Sequence, residues 1–77
     1  MRHTMMNKGL FERETVVTDG DVTTEIWIGI HGIADYALRH MIDGEMVSIE
    51  YFPSAQNLAA RAEYAGANLA QKIRAIT

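Results

Sequence analysis

Residues able to do chemistry are few in this 77-residue chain. The nearest approach to a catalytic set is a pair of carboxylates. Glu14 and Glu25 fall on two segments that read as neighbouring strands, and two acids side by side are a common device of general acid–base catalysis. The sequence sets no nucleophile, histidine or glycine-rich anion loop beside them. The three histidines form no ligand set: His3 is near the N-terminus, His31 in a bend and His40 inside a strand. No His-x-x-x-His spacing occurs, and without cysteine there is neither a thiolate ligand nor a thiol nucleophile. The inventory predicts no enzyme, no metal and no cofactor.

The elements that would carry these residues are easier to read. Asp43-Gly44 sits between two apolar runs, and a two-residue turn of this type joins two antiparallel strands because both central residues must take positive φ. Glu45 to Phe52 alternates cleanly and ends at Pro53, which cannot extend a ladder. Leu10 to Thr18 is β-branched at Thr15-Val16-Val17-Thr18, then Asp19-Gly20-Asp21 repeats the turn signal. Val22 to Ile30 alternates with Ile26 and Ile28 on one side and Glu25 and Trp27 on the other. Residues 33–42 have a helical alternative, with Ile33, Ala37 and Met41 on one helical face. A strand from Tyr36 to Ile42 is preferred because it pairs Ile42 with Glu45, His40 with Val47, Leu38 with Ile49 and Tyr36 with Tyr51.

Ser54 is a good helix N-cap, able to accept from the backbone N–H of Gln56 or Asn57. From Ala55 to Ile76 only Gly66 interrupts a helical pattern. Leu58, Ala62, Leu69 and Ile73 mark its inner face, while Asn57, Arg61, Tyr64 and Asn68 mark its outer one. The expected fold is α+β: an antiparallel β-meander of three to four strands (β-β-β-β-α), with one long C-terminal amphipathic helix packed on one face. Residues 1–9 are expected to be a flexible arm and 10–77 a single domain.

Alternation then predicts the surface. With Phe11, Val17, Val22, Ile26, Ile28, Leu38, Ile42, Val47, Ile49 and Tyr51 under the helix, the open face would carry Glu12, Glu14, Glu25, Trp27, Arg39, Met41, Met46, Ser48, Glu50 and Phe52. An aromatic and two methionines ringed by carboxylates have the composition of a contact surface. The partner-binding residues expected from this are Glu12, Glu14, Glu25, Trp27, Arg39, Met41, Met46, Glu50 and Phe52.

Charge narrows the partner. The formal net charge is -3, with four basic against nine acidic residues before Ser54 and three against one from there on. An acidic sheet argues against phosphate contacts, hence against nucleic acid, even though Trp27 and Phe52 could stack bases. It suits a protein partner with a basic surface. A homodimer using the sheet face or the helix as its seam is the first alternative, and a nucleic-acid-binding module, against the charge argument, the second. No apolar run approaches the roughly 18–20 residues that span a bilayer, so no membrane partner is expected, and the cysteine-free composition fits the cytoplasm. In size and composition the chain is similar to accessory proteins of bacteria and their phages, small anti-CRISPR inhibitors among them. That similarity implies an inhibitor or adaptor that occludes a site on a larger machine.

Overall fold

The computed structural model describes residues 3–77. Its sheet follows from the glycine-bearing turns. Asp43 and Gly44 both take positive φ (51° and 79°), as a tight hairpin turn requires, and Gly20 does the same (62°) in the preceding hairpin. Five strands result: β1 (His3–Met6), β2 (Gly9–Asp19), β3 (Val22–Gly32), β4 (Tyr36–Ile42) and β5 (Glu45–Phe52). They pair in sequence order as one antiparallel sheet. Residues 33–42 therefore contribute a strand, not a helix. Within the segment expected as an arm, His3–Met6 form β1 and pair with β2, which raises the strand count to five; residues 1 and 2 lie outside the described residues.

The register differs from strict alternation at three points, and these decide which way the side chains face. Ile42 pairs with Glu45 and Met41 with Met46, as the turn dictates. Val47 then has no partner. Beyond this bulge His40 faces Ser48, Leu38 faces Glu50 and Tyr36 faces Phe52, each one residue away from the expected pairing. A one-residue shift moves every later side chain to the other face. Glu14 is skipped in the same way in β2, since Arg13 pairs with Trp27 and Thr15 with Ile26. Ile30 is skipped in β3 between the pairs Leu10–His31 and Phe11–Gly29. Bulges increase local twist and bend the strand, and this sheet is curled accordingly.

Two cores form, one on each face. Val17, Ile26 and Leu38 meet Leu58, Ala62, Leu69, Ala70 and Ile73 from the helices, with Tyr36 and Phe52 at the margin. The opposite face closes on itself: Phe11, Trp27, Ala34 and Ala37 pack together, bordered by Met6, Ile49 and Tyr51. Phe11, Ile49 and Tyr51 have thus moved from the helix face to the curled face, and Phe52 has moved the other way. The loop after β3 seals one end. Gly29 N donates to Asp35 O (2.6 Å) and Asp35 N to Phe52 O (3.0 Å). A Cβ at residue 29 would overlap the Ala34 carbonyl oxygen, so the crossing requires glycine.

The C-terminal segment is two short helices, not one long one: α1 (Ala55–Arg61), a 3-10 turn (Ala62–Tyr64) and α2 (Ala67–Ile76). Ser54 caps α1, accepting from Asn57 N at 3.2 Å. The break lies at Ala65, which is extended (φ -121°, ψ 158°), and at Gly66, the N-cap of α2, which sits against the Asp19 carboxylate. The break lets α1 lie along β5 and α2 along β2 of a sheet too curved for one straight rod. No helix is long and apolar enough to cross a membrane, among the described residues.

Candidate functional site

The two faces carry two polar clusters. On the helix face, β3, β4 and β5 place Thr24, His40 and Glu50 in a row that α1 completes with Arg61. Thr24 Oγ1 is 2.9 Å from His40 Nδ1, and His40 Nε2 is 2.6 Å from Glu50 Oε2. Arg61 donates through Nε to Glu50 Oε1 (2.9 Å), through Nη2 to Oε2 (3.3 Å) and through Nη1 to the Tyr64 carbonyl (2.6 Å). Burial pushes the Glu50 carboxyl up, but the hydrogen bonds from Arg61 and His40 outweigh this and hold its pKa below the ordinary value. A hydroxyl, an imidazole and a carboxylate in sequence have the order of a nucleophilic triad. Thr24, however, is only 6% exposed and lines none of the three main grooves, so its hydroxyl is not open to a substrate. The row ties α1 to the sheet.

On the curled face the cluster centres on Glu25. Trp27 Nε1 donates to Glu25 Oε1 (3.1 Å), and Arg13 Nη1 donates to Oε2 (3.4 Å). Arg39 Nε lies 3.4 Å from Oε1, but it is buried and makes no hydrogen bond. The Arg39 guanidinium stands 5.5 Å from the Trp27 ring centroid, a cation–π arrangement, and among the described residues Nη2 reaches only the Met41 sulfur at 3.9 Å. Arg39 borders two depressions. One is a groove of about 300 Å³ between the edge strands, lined by Thr4, Met5 and Met6 from β1, Asn7 beside it, and Met46, Ile49 and Tyr51 from β5. The other, of about 390 Å³, is more polar and is lined by Thr23, Glu25, Met41, Asp43 and Gly44.

The nine expected contact residues are therefore divided. Glu25, Trp27, Arg39, Met41 and Met46 share the curled face. Glu50 and Phe52 lie on the helix face, displaced by the Val47 bulge. Glu12 pairs with Ile28 and meets His3 Nε2 at 3.3 Å, and Glu14 is the exposed bulge residue of β2. Glu14 and Glu25 are not paired, since Glu25 faces Val16. Trp27 is 0% exposed, so the expected aromatic anchor is a core residue. The Thr24–His40–Glu50–Arg61 row was not foreseen. Its only sequence signal is that Thr24 and His40 occupy polar positions in otherwise apolar alternation.

Exposed apolar residues collect elsewhere. Ile42 (37%), Met46 (52%) and Val47 (56%) flank the last turn, beside the exposed Asp43 and Glu45. The Val22–Ile42 pair brings the other acidic turn, Asp19 and Asp21, to the same end of the sheet. No group of three or more histidine, aspartate or glutamate side chains is arranged to hold a metal, among the described residues. Compared with family models, curated proteins and solved structures, the chain matches none.

Proposed function

We propose that this chain is a non-enzymatic protein-binding module, an inhibitor or adaptor that docks by the turn end of β5. The supporting observation is three exposed apolar side chains around the tip of the last hairpin, Met46 toward the curled face, Ile42 toward the other and Val47 in the bulge, framed by Asp43 and Glu45. Apolar anchors inside a charged rim are the usual anatomy of a recognition patch. The rim is acidic, with Asp19 and Asp21 beside it, so the fitting partner has a basic surface.

The bulge bears on how docking occurs. β5 is an edge strand, and its Val47 bulge, its glutamates and Pro53 all hinder addition of another strand. Contact is made by side chains. Such a mode suits occlusion of a site on a larger protein, consistent with the likeness in size and composition to phage and mobile-element inhibitors.

The test is comparative capture from a lysate of the source organism. Val47→Asp combined with Glu45→Lys is expected to lose at least about tenfold of the captured partner. Lys72→Glu, on α2, is expected to retain it. Equal capture by all three proteins sinks the assignment. Light scattering on the free protein covers the homodimer: a dimer abolished by Val47→Asp makes a second copy the occupant of this patch.

A further inference from the structure

We propose that the groove between β1 and β5 is a binding site for an unbranched aliphatic carboxylate, with its headgroup on the Arg39 guanidinium. The inference goes beyond the protein-binding reading and does not depend on it: the two share Met46, but the ligand is argued from Arg39 and the β1 side of the groove, which that reading does not use.

Three observations converge on this ligand chemistry. The first is the state of Arg39. An arginine fork normally meets a carboxylate with two short parallel hydrogen bonds. Here Nε is buried against Glu25 and closed to a ligand, so a headgroup is met by the Nη nitrogens, of which Nη2 has only a thioether at 3.9 Å among the described residues. The second is charge. Arg13 and Arg39 both lean on the one carboxylate of Glu25, at 3.4 Å each, and no other ion pair reaches either guanidinium among the described residues. One positive charge is left over at the wall of the groove, which selects an anion and rejects a cation.

The third observation is the groove itself. Met5, Met6, Met46 and Ile49 make its wall apolar, and Tyr51 is braced against Phe11 at a ring separation of 6.0 Å. Methionines adapt to a flexible chain better than branched residues do. The volume of about 300 Å³ is at the lower end for small-molecule sites. At roughly 30 Å³ per water-sized unit it accommodates a chain of about ten heavy atoms. A single guanidinium among thioethers suits a carboxylate better than a phosphate, which normally recruits several donors.

Trp27 is the only tryptophan of the chain and lies against Arg39, so it reports directly on occupancy. The experiment is titration of the intact protein with sodium decanoate, 1-decanol and decyltrimethylammonium, followed by Trp27 fluorescence and calorimetry. The expected result is saturable one-to-one binding of decanoate, with Kd on the order of 0.1 mM for so small a ligand. Decanol and the ammonium are expected to bind at least about tenfold more weakly. Arg39→Met should abolish the preference for the acid over the alcohol. Met5→Glu, at a position 71% exposed and therefore tolerant, should weaken decanoate by about tenfold or more through repulsion. Both variants are checked for folding by far-UV circular dichroism. Absence of saturation up to about 2 mM decanoate overturns the proposal. Equal binding by wild type and Arg39→Met does so as well. Selective binding of a capped Leu-Asp-Leu peptide with none of decanoate also overturns it, reassigning the groove to a polypeptide.

Discussion

Each face of the sheet joins an arginine to a glutamate, and the two faces complete the job differently. Arg61 on the helix face forks onto Glu50 at 2.9 and 3.3 Å and uses its remaining nitrogen on the Tyr64 carbonyl. Arg39 on the curled face competes with Arg13 for Glu25, makes no bond through Nε and lies over an indole. Buried polar groups in stable proteins are nearly always satisfied, so the exception calls for an explanation. The first cluster is closed: nothing is left for a ligand to bond. The second is incompletely bonded: Nε is buried without a hydrogen bond and Nη2 meets a thioether, beside an apolar groove. The contrast separates polar groups that hold the fold from polar groups free to recognise something.

The largest test of this division is Trp27. With the indole on an open face, truncation would leave stability intact and weaken binding. With the indole at 0% exposure in the curled core, Trp27→Ala removes a large buried side chain and is expected to cost about 3–5 kcal/mol. A chain of this size has about 4–12 kcal/mol in total, so much of the fold is at stake. Urea denaturation followed by far-UV circular dichroism measures it. A cost below about 1 kcal/mol would mean that the curl does not bury the indole in solution.

Next comes the same substitution at both arginines. Arg61→Met strips Glu50 of its bidentate partner and leaves the Tyr64 carbonyl without its donor. The expected loss is about 1–2 kcal/mol, reduced from the fully buried case because both side chains keep some solvent contact. Arg39→Met replaces an incompletely bonded cation by an apolar chain that still covers Trp27. Its expected effect is within about 0.5 kcal/mol of zero, in either direction. Equal losses at the two sites, read from paired denaturation curves, would erase the distinction between them.

Much of the frame was legible in the sequence, and the reason is local chemistry. Asp43-Gly44 and Asp19-Gly20 fix turns through residues that tolerate positive φ. Ser54 starts α1 through its own hydroxyl. The alternation of β3 places Ile26 and Trp27 on opposite faces correctly. The bulges were not legible, because a bulge leaves no trace in propensity: Val47 suits a strand whether or not it is paired, and so does the sequence around Glu14. What selects them is the curl, a property of the whole sheet. The helix break shows the same limit. Gly66 marks the place, but Ala65 is an extended residue of a type that favours helix, and its side chain packs on the helix-face core. The open face expected from alternation therefore mixes residues from both sides, and Glu50 and Phe52 belong with the helices.

The smallest effect expected is a pH dependence, and it isolates the helix-face cluster. The Glu50 carboxyl sits below its ordinary pKa in the fold because the bonds from Arg61 and His40 outweigh burial. A depressed carboxylate contributes stability that is fully present above the unfolded value, about 4.3, and is lost as the pH falls through the folded one. Wild type should therefore lose stability on acidification from about pH 5 to pH 3, beyond what the other carboxylates cause. Glu50→Gln cannot titrate and should give a flatter curve across that window, lower at neutral pH and converging with wild type in acid. The comparison uses the difference between the two curves, so the remaining acidic residues cancel. If Glu50→Gln leaves the acid limb of the curve unchanged, the bonds from Arg61 and His40 do not hold the Glu50 carboxylate below its ordinary value in solution.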